Sequence, residues 1–188
     1  MSFLIDPVDI TNYNYTDEQL EVFWLFCLVV AGKTAHTQAR LLDDFLGKLE
    51  GNGSPFHRIM QSITRGDFDD RLKASRLGQY GRLSRAFQES LRMNLRTCTV
   101  EDLEAIYGVG PKTSRLFIMH SRPNARYAAI DTHILKLLRE NGYDVPKATQ
   151  TGKKYRELEQ AFLKLADEAG ESPADYDLST WKRFARVA

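Results

Sequence analysis

The segment from Leu103 to His120 leaves the backbone few choices. A mostly apolar stretch, Leu103-Glu104-Ala105-Ile106-Tyr107, runs into Gly108-Val109-Gly110, and Pro111 follows at once. Glycine lets a chain turn tightly and come close to a ligand. Proline, with its φ preset and no N–H to satisfy, suits the first turn of a helix. The phrase predicts two helices joined by a hairpin, the second running from Pro111 to about His120. Lys112 then falls in the first turn, where free N–H groups and the helix dipole favour an anion. A cation there costs a few tenths to about 1 kcal/mol. The same field favours the neutral amine, which is the nucleophilic form.

Helical periodicity governs most of the remaining chain. Thr16-Asp17-Glu18-Gln19 reads as a capping box, with Leu20, Phe23, Cys27 and Val30 following at helical spacing. A second helix starts near Thr34 and aligns Leu41, Leu42, Phe45, Leu46 and Leu49 on one side. Gly51-Asn52-Gly53-Ser54-Pro55 is a break, and 56–63 and 67–74 read as short helices. Gly78-Gln79-Tyr80-Gly81 predicts a turn before a basic helix over 82–94. Thr99 is expected to cap a helix over 100–107, and Asp131 one ending near Asn141. Residues 127–130 suit a short extended piece. Residues 142–152 are linker-like, a helix is expected over 153–169, and the last one carries a Leu178, Trp181, Phe184 stripe. The expected fold class is all-α: two helical lobes flanking a cleft, with a helix-hairpin-helix motif. One lobe is expected to gather 1–31 and 142–188, the other 32–141.

Charge narrows the function. Residues 1–31 carry Asp6, Asp9, Asp17, Glu18 and Glu21 with no Lys or Arg, a local charge of −5, although the whole chain is only +1. Residues 71–126 carry eleven Lys and Arg against four Asp and Glu, a local charge of +7 that brackets the hairpin. Such a basic stretch on a nearly neutral protein points to an anionic polymer. Cys27 and Cys98 are too few for a four-thiolate zinc or iron–sulfur site, and His36, His57 and His120 lack metal-ligand spacing. No apolar run approaches the roughly 20 residues that span a bilayer. Met1-Ser2-Phe3 opens a segment without a basic n-region. No secretory signal is expected, and a cytoplasmic, nucleoid-associated monomer is.

The glycine hairpin alone fits any tight helix–helix turn. Its specificity rises with Gly108-Val109-Gly110-Pro111-Lys112-Thr113 followed, 18 residues after the lysine, by Ile130-Asp131-Thr132-His133-Ile134. This pair of phrases resembles the helix-hairpin-helix (HhH-GPD) superfamily of DNA glycosylases. The likeness extends further. Residues 26–35 look like that family's first core helix and the loop entering the minor groove. Residues 77–86 look like its second DNA-contacting turn and helix. Lys154-Tyr155, Leu158-Glu159, Asp177-Leu178 and Trp181 are similar in order and spacing to the compact 8-oxoguanine DNA glycosylase/AP lyases. That branch has neither an iron–sulfur cluster nor an extra N-terminal β domain.

The resemblance implies a bifunctional enzyme of base excision repair acting on lesion-bearing double-stranded DNA. Lys112 takes the place of the Schiff-base lysine and Asp131 that of the catalytic aspartate. Gly108, Val109, Gly110 and Thr113 take the hairpin's phosphate contacts, with a monovalent cation held by its carbonyls and no other cofactor or metal. Lys33, Gln79, Tyr80, Arg82 and Arg85 take further DNA contacts, the first three near the gap left by a flipped base. Trp181 and Phe184 take the wall of the base pocket, and His133 a packing or phosphate-supporting role. The compact branch typically ends in lysine, where this sequence reads Arg186-Val187-Ala188, and the base excised stays open. 8-Oxoguanine is the first expectation; another modified base and a non-catalytic DNA-binding module are the alternatives.

Overall fold

A computed structural model describes residues 2–148 and 151–185. The chain is all-α, and among the described residues no strand forms. Its helices are α1 (Asp17–Val29), α2 (Ala35–Lys48), α3 (Pro55–Arg65), α4 (Phe68–Ala74), α5 (Tyr80–Ser90), α6 (Val100–Glu104), α7 (Pro111–Ser121), α8 (Thr132–Glu140), α9 (Gly152–Ala169) and α10 (Pro173–Ala185). Among the described residues none is long and apolar enough to cross a membrane.

The chain divides into two units, and the division falls inside the hairpin. The first holds residues 1–10 and 14–109, the second 11–13 and 110–188. This corrects the expected lobes, which had set 1–31 beside the chain's end and 110–141 with the central helices. The reason lies in α1. From Val22 to Val29 every residue is buried, so the helix needs neighbours all round, and it packs against α2, α3 and α5. Within this first unit Phe45, Phe68 and Phe87 meet at tilted or edge-on angles with centroids 6.2–6.4 Å apart. Trp24 Nε1 donates to Ser90 Oγ at 2.8 Å, so the largest buried side chain has its polar atom satisfied.

The second unit is built around α7–α10. Ile134, Leu135, Leu137 and Leu138 from α8 meet Tyr155, Leu158 and Phe162 from α9 in one core. The predicted stripe on α10 is shifted: Ala174 and Thr180 are buried, whereas Leu178, Trp181 and Phe184 are half-buried.

Local signals decide the helix starts. Thr16 Oγ1 accepts the Gln19 N–H while Gln19 returns a bond to the Thr16 N–H, and Thr99 does the same with Asp102. Two helices depart most from expectation. α5 begins at Tyr80 and ends at Ser90, because Gln79, in the left-handed region at φ +49°, is already its N-cap. α6 stops at Glu104, and residues 105–109 form the turn into Gly108.

Candidate active site

Lys112 sits at the second position of α7. Gly110 is the N-cap in an extended conformation, no side chain caps it, and its carbonyl accepts the N–H groups of Thr113 and Ser114 at 3.1 and 3.2 Å. Asp131 is the N-cap of α8. Its Oδ1 accepts from the N–H groups of His133 and Ile134 at 2.8 and 3.0 Å. Both cap bonds fall on one oxygen, so Oδ2 takes no part in the cap. Burial pushes the Asp131 carboxyl above the usual carboxylate range. Asp177 on α10 pushes the same way, while the Ile134 N–H, the Lys112 ammonium and His133 pull it back. The structure therefore places Lys112 within electrostatic reach of Asp131 inside the second unit.

A buried polar frame holds the two residues in register. Tyr155 and Glu159, one turn apart on α9, grip the extended segment that leads into Asp131. The Tyr155 hydroxyl donates to Ala128 O at 2.7 Å and accepts the Ile130 N–H at 3.0 Å, and Glu159 Oε1 accepts the Ala128 N–H at 2.9 Å. Backbone groups that a strand partner would otherwise satisfy are thus bonded by side chains. Glu159 Oε1 also accepts from Arg115 Nε at 2.9 Å, and Arg115 donates to Pro111 O at 3.3 Å, beside Lys112. The Arg115 guanidinium lies 4.9 Å from the Tyr155 ring centre. Burial raises the Tyr155 hydroxyl's proton affinity, in keeping with its role as a donor.

His120 on α7 is fully buried. Its Nδ1 pairs with Thr11 Oγ1 at 2.7 Å and its Nε2 with Asp177 Oδ2 at 3.2 Å, while its carbonyl accepts the Asn12 N–H at 3.0 Å. Residues 11–13 form a strap that bonds to this histidine through Thr11 and Asn12. Arg115, Tyr155, Glu159, His120 and Asp177 were absent from the sequence-derived site. The available signal was a histidine on an otherwise apolar helix stretch, and a Tyr–Glu pair at i, i+4.

The predicted DNA contacts of the first unit also gather. Gly108 has φ +72°, and a Cβ there would lie 2.6 Å from Arg82 Cγ, so the turn needs glycine twice over. Arg82 is tied at both ends: Nε donates to Gln79 Oε1 at 2.6 Å and an Nη to Leu28 O at 2.8 Å. Burial lowers its proton affinity. Lys33 Nζ donates to Leu77 O, beside Gly78, and burial and then Arg82 lower its proton affinity. Glu89 accepts the Tyr107 N–H at 2.7 Å and Arg85 Nε at 2.7 Å, and the Arg85 guanidinium stands 4.3 Å from the Tyr107 ring centre. The Tyr107 bond and then Arg85 hold the Glu89 carboxyl below the usual range. Val109 and Thr113 turn their side chains inward, so either can reach a ligand only through its backbone. Tyr80 and Arg85 line an open groove of about 960 Å³ with Met60, Leu72, Met93 and Ile106.

Phe184 packs back onto α8. Its ring lies parallel to that of His133, centroids 6.2 Å apart, with Lys136 Nζ 4.5 Å and the Arg183 guanidinium 4.7 Å from its centre. Trp181 is half-buried on the same helix. Arg186, Val187 and Ala188, where the sequence departs from the compact glycosylases, lie outside the described residues. Among the described residues no group of three or more His, Cys, Asp or Glu could hold a metal ion.

The basic stretch is less available than its charge suggested. Arg71 pairs with Asp67 and Glu50, Arg85 with Glu89, Arg96 with Asp17, Arg115 with Glu159 and Arg126 with Asp167. Asp17 belongs to the acidic N-terminal segment, so part of the charge asymmetry cancels within the first unit.

No protein family's sequence model matches this chain. Over 76 residues, 39% of its length, it is 33% identical to an 8-oxoguanine DNA glycosylase/AP lyase of Thermotoga sp. (strain RQ2), and the match spans 36% of that relative. Two solved structures share its fold. One is a Methanocaldococcus jannaschii 8-oxoguanine glycosylase/lyase in complex with a 15mer DNA containing 8-oxoguanine (TM-score 0.69, 23% identity, 93% of this chain and 85% of that one). The other is the M. jannaschii 8-oxoguanine DNA glycosylase described without DNA (TM-score 0.68, 22% identity, 95% and 83%). Over nearly all its length, the chain has the all-α fold of these two proteins.

Proposed function

We propose that this chain is a helix-hairpin-helix (HhH-GPD) DNA glycosylase with AP lyase activity, which binds lesion-bearing duplex and excises a damaged purine, 8-oxoguanine first. The observation that carries the reading is the pairing, within one unit, of Lys112 at an uncapped helix start with Asp131, a partly buried carboxylate of raised proton affinity. A base whose proton affinity lies closer to neutrality is suited to taking a proton from an ammonium. The curated relative and the two solved structures, all 8-oxoguanine glycosylases, support the substrate class.

The chemistry follows from these two groups. The target base is flipped out of the helix. As the C1′–N bond stretches, the sugar acquires oxocarbenium character, and the Asp131 carboxylate stabilises that charge. The neutral Lys112 amine bonds to C1′ as the base leaves with the C1′–N electron pair, and the proton shed by the new secondary ammonium then passes to Asp131. Ring opening gives the Schiff base, and loss of a C2′ proton expels the 3′ phosphate. Gly108, Gly110 and the N–H groups at the start of α7 would take backbone phosphate, which positions the duplex without reading its sequence.

The test is borohydride trapping with duplexes bearing 8-oxoguanine, a panel of other modified bases, or an abasic site. Wild type is expected to trap and Lys112→Gln to bind but not trap. Trapping on another lesion alone would move the substrate to that base. Binding with no trapping on any duplex would leave a DNA-binding module in place of an enzyme.

A further inference from the structure

We infer that Tyr107 is a DNA-contacting residue: its ring, fixed by Arg85 and Glu89, presents the phenol hydroxyl to a backbone phosphate of the duplex beside the glycine hairpin. The inference rests on the DNA-binding part of the glycosylase/lyase reading. It adds a neutral contact that the basic stretch does not reveal, and it makes Arg85 a positioning residue.

Tyr107 stands at the tip of a closed turn. The Val109 N–H donates to Ile106 O at 3.1 Å, and Gly108, at φ +72°, takes the left-handed third position. Ile106 and Val109 are buried, whereas Tyr107 and Gly108 between them are exposed, the tyrosine by 49%. The core thus grips the turn at both ends and leaves its tip in solvent. A lone exposed aromatic needs no explanation. This one is held at two points. Glu89 Oε2 accepts the Tyr107 N–H at 2.7 Å, and Glu89 Oε1 accepts from Arg85 Nε at 2.7 Å. The Arg85 guanidinium in turn stands 4.3 Å from the Tyr107 ring centre. Arg85 and Glu89 are one turn apart on α5, so a single helix face fixes both the backbone and the ring of residue 107.

A ring that is already ordered loses little freedom when it binds. Tyrosine offers an apolar body with a hydroxyl donor at its end, and tyrosine hydroxyls are among the groups that contact phosphate without reading sequence. The next residue, Gly108, has no side chain to hold an approaching strand away from the turn. Arg85 takes a different part from the one expected of it. Glu89 offsets its charge, and it reaches the DNA through the ring it supports. Being neutral, Tyr107 adds affinity without displacing a counterion, and that separates its contribution from those of the lysines and arginines.

The experiment measures binding to a duplex carrying a tetrahydrofuran abasic analogue, which cannot form a Schiff base, across a series of salt concentrations. Tyr107→Phe keeps the ring and its contact with Arg85, so a loss of binding reports the hydroxyl and not the fold. It should bind about three- to tenfold more weakly, with the slope of log binding constant against log salt unchanged. Arg85→Gln is expected to weaken binding about two- to fivefold, also at unchanged slope. In a Tyr107→Ala background the same change should weaken binding no further, because Arg85 acts through the ring. Wild-type affinity in Tyr107→Phe overturns the inference and leaves the lyase reading intact. A slope lowered by about 0.9 in Arg85→Gln, with an effect additive to that of Tyr107→Ala, makes Arg85 a phosphate contact in its own right and overturns its positioning role. Failure of wild type to bind any duplex overturns both readings.

Discussion

The two units bury different kinds of side chain. The first unit packs Phe23, Trp24, Phe26, Phe45, Phe68 and Phe87 in an aromatic core, and its buried polar side chains among the described residues, Gln38, Ser62, Ser75 and Ser90, are all uncharged. The second unit buries Thr113, Ser114, His120, Ser121, Glu159 and Thr180 among its aliphatic residues. Polar burial is costly unless every group is bonded, and a bonded network fixes one geometry. The first unit holds its loops and its half of the hairpin with partly exposed polar side chains: Arg82 bonds Gln79 and Leu28 O, Lys33 bonds Leu77 O, and Glu89 accepts the Tyr107 N–H. The second bonds the backbone leading into Asp131 with the buried Tyr155 hydroxyl and Glu159 carboxylate.

The sharpest way to break this contrast is at the proposed reactive pair, Lys112 and Asp131. Lys112→Gln is expected to reduce trapping more than 1,000-fold, since no other amine takes its place, while the melting temperature and DNA affinity stay near wild type. Asp131→Asn is expected to lower the trapping rate about 100- to 1,000-fold. Asn caps a helix as well as Asp does, so the fold should survive. Stability should even gain at neutral pH. A carboxyl whose folded proton affinity is raised favours folding below its unfolded value, and that contribution is lost as pH rises through the folded value. The melting temperature of Asp131→Asn minus that of wild type should thus be largest near neutrality and shrink on acidification. A difference that grows toward low pH would place the carboxylate in a stabilising environment and undo the argument for a tuned base.

The frame comes next in size. Glu159→Ala leaves Arg115 buried without its carboxylate and removes the acceptor for the Ala128 N–H. Loss of one partner of a buried pair costs about 3–5 kcal/mol, and the side chains of the two are 8% and 12% exposed. Chemical denaturation measures the loss. A cost near 1 kcal/mol would mean that the second unit is held by its aliphatic core after all. In the first unit Gly108→Ala forces a Cβ against Arg82 at positive φ. It should cost roughly 1–2 kcal/mol and weaken DNA binding while leaving the saturated trapping rate unchanged.

What could be read from sequence was local. Thr16 with Gln19, Thr99 with Asp102, Pro111 at a helix start and Asp131 as a cap each lie within a few residues of the groups they satisfy. Lys112 and Asp131 could be singled out because their phrases are short and spaced. The frame was illegible for the opposite reason. Arg115, Ala128 and Glu159 meet at one oxygen across 44 residues of chain, and the Tyr155–Glu159 pair at i, i+4 does not say which residues it will meet. The strap is similar: Thr11 and His120 are 109 residues apart. Composition misled for the same cause, because a count of arginines does not say which already have carboxylate partners.

Arg96 turns that last point into a measurement. It belongs to the +7 stretch that suggested a polyanion, yet its Nε donates to Asp17 and an Nη to the Tyr15 carbonyl at 2.9 Å. Each phosphate contact made by a Lys or Arg contributes about 0.9 to the slope of log binding constant against log salt. If Arg96 serves the first unit's own acidic segment, Arg96→Gln leaves that slope unchanged on any duplex. It should cost only about 0–1 kcal/mol of stability, because exposed pairs contribute little. A slope that falls by about one unit would assign Arg96 to DNA, and would mean that the pairing with Asp17 gives way when a phosphate arrives.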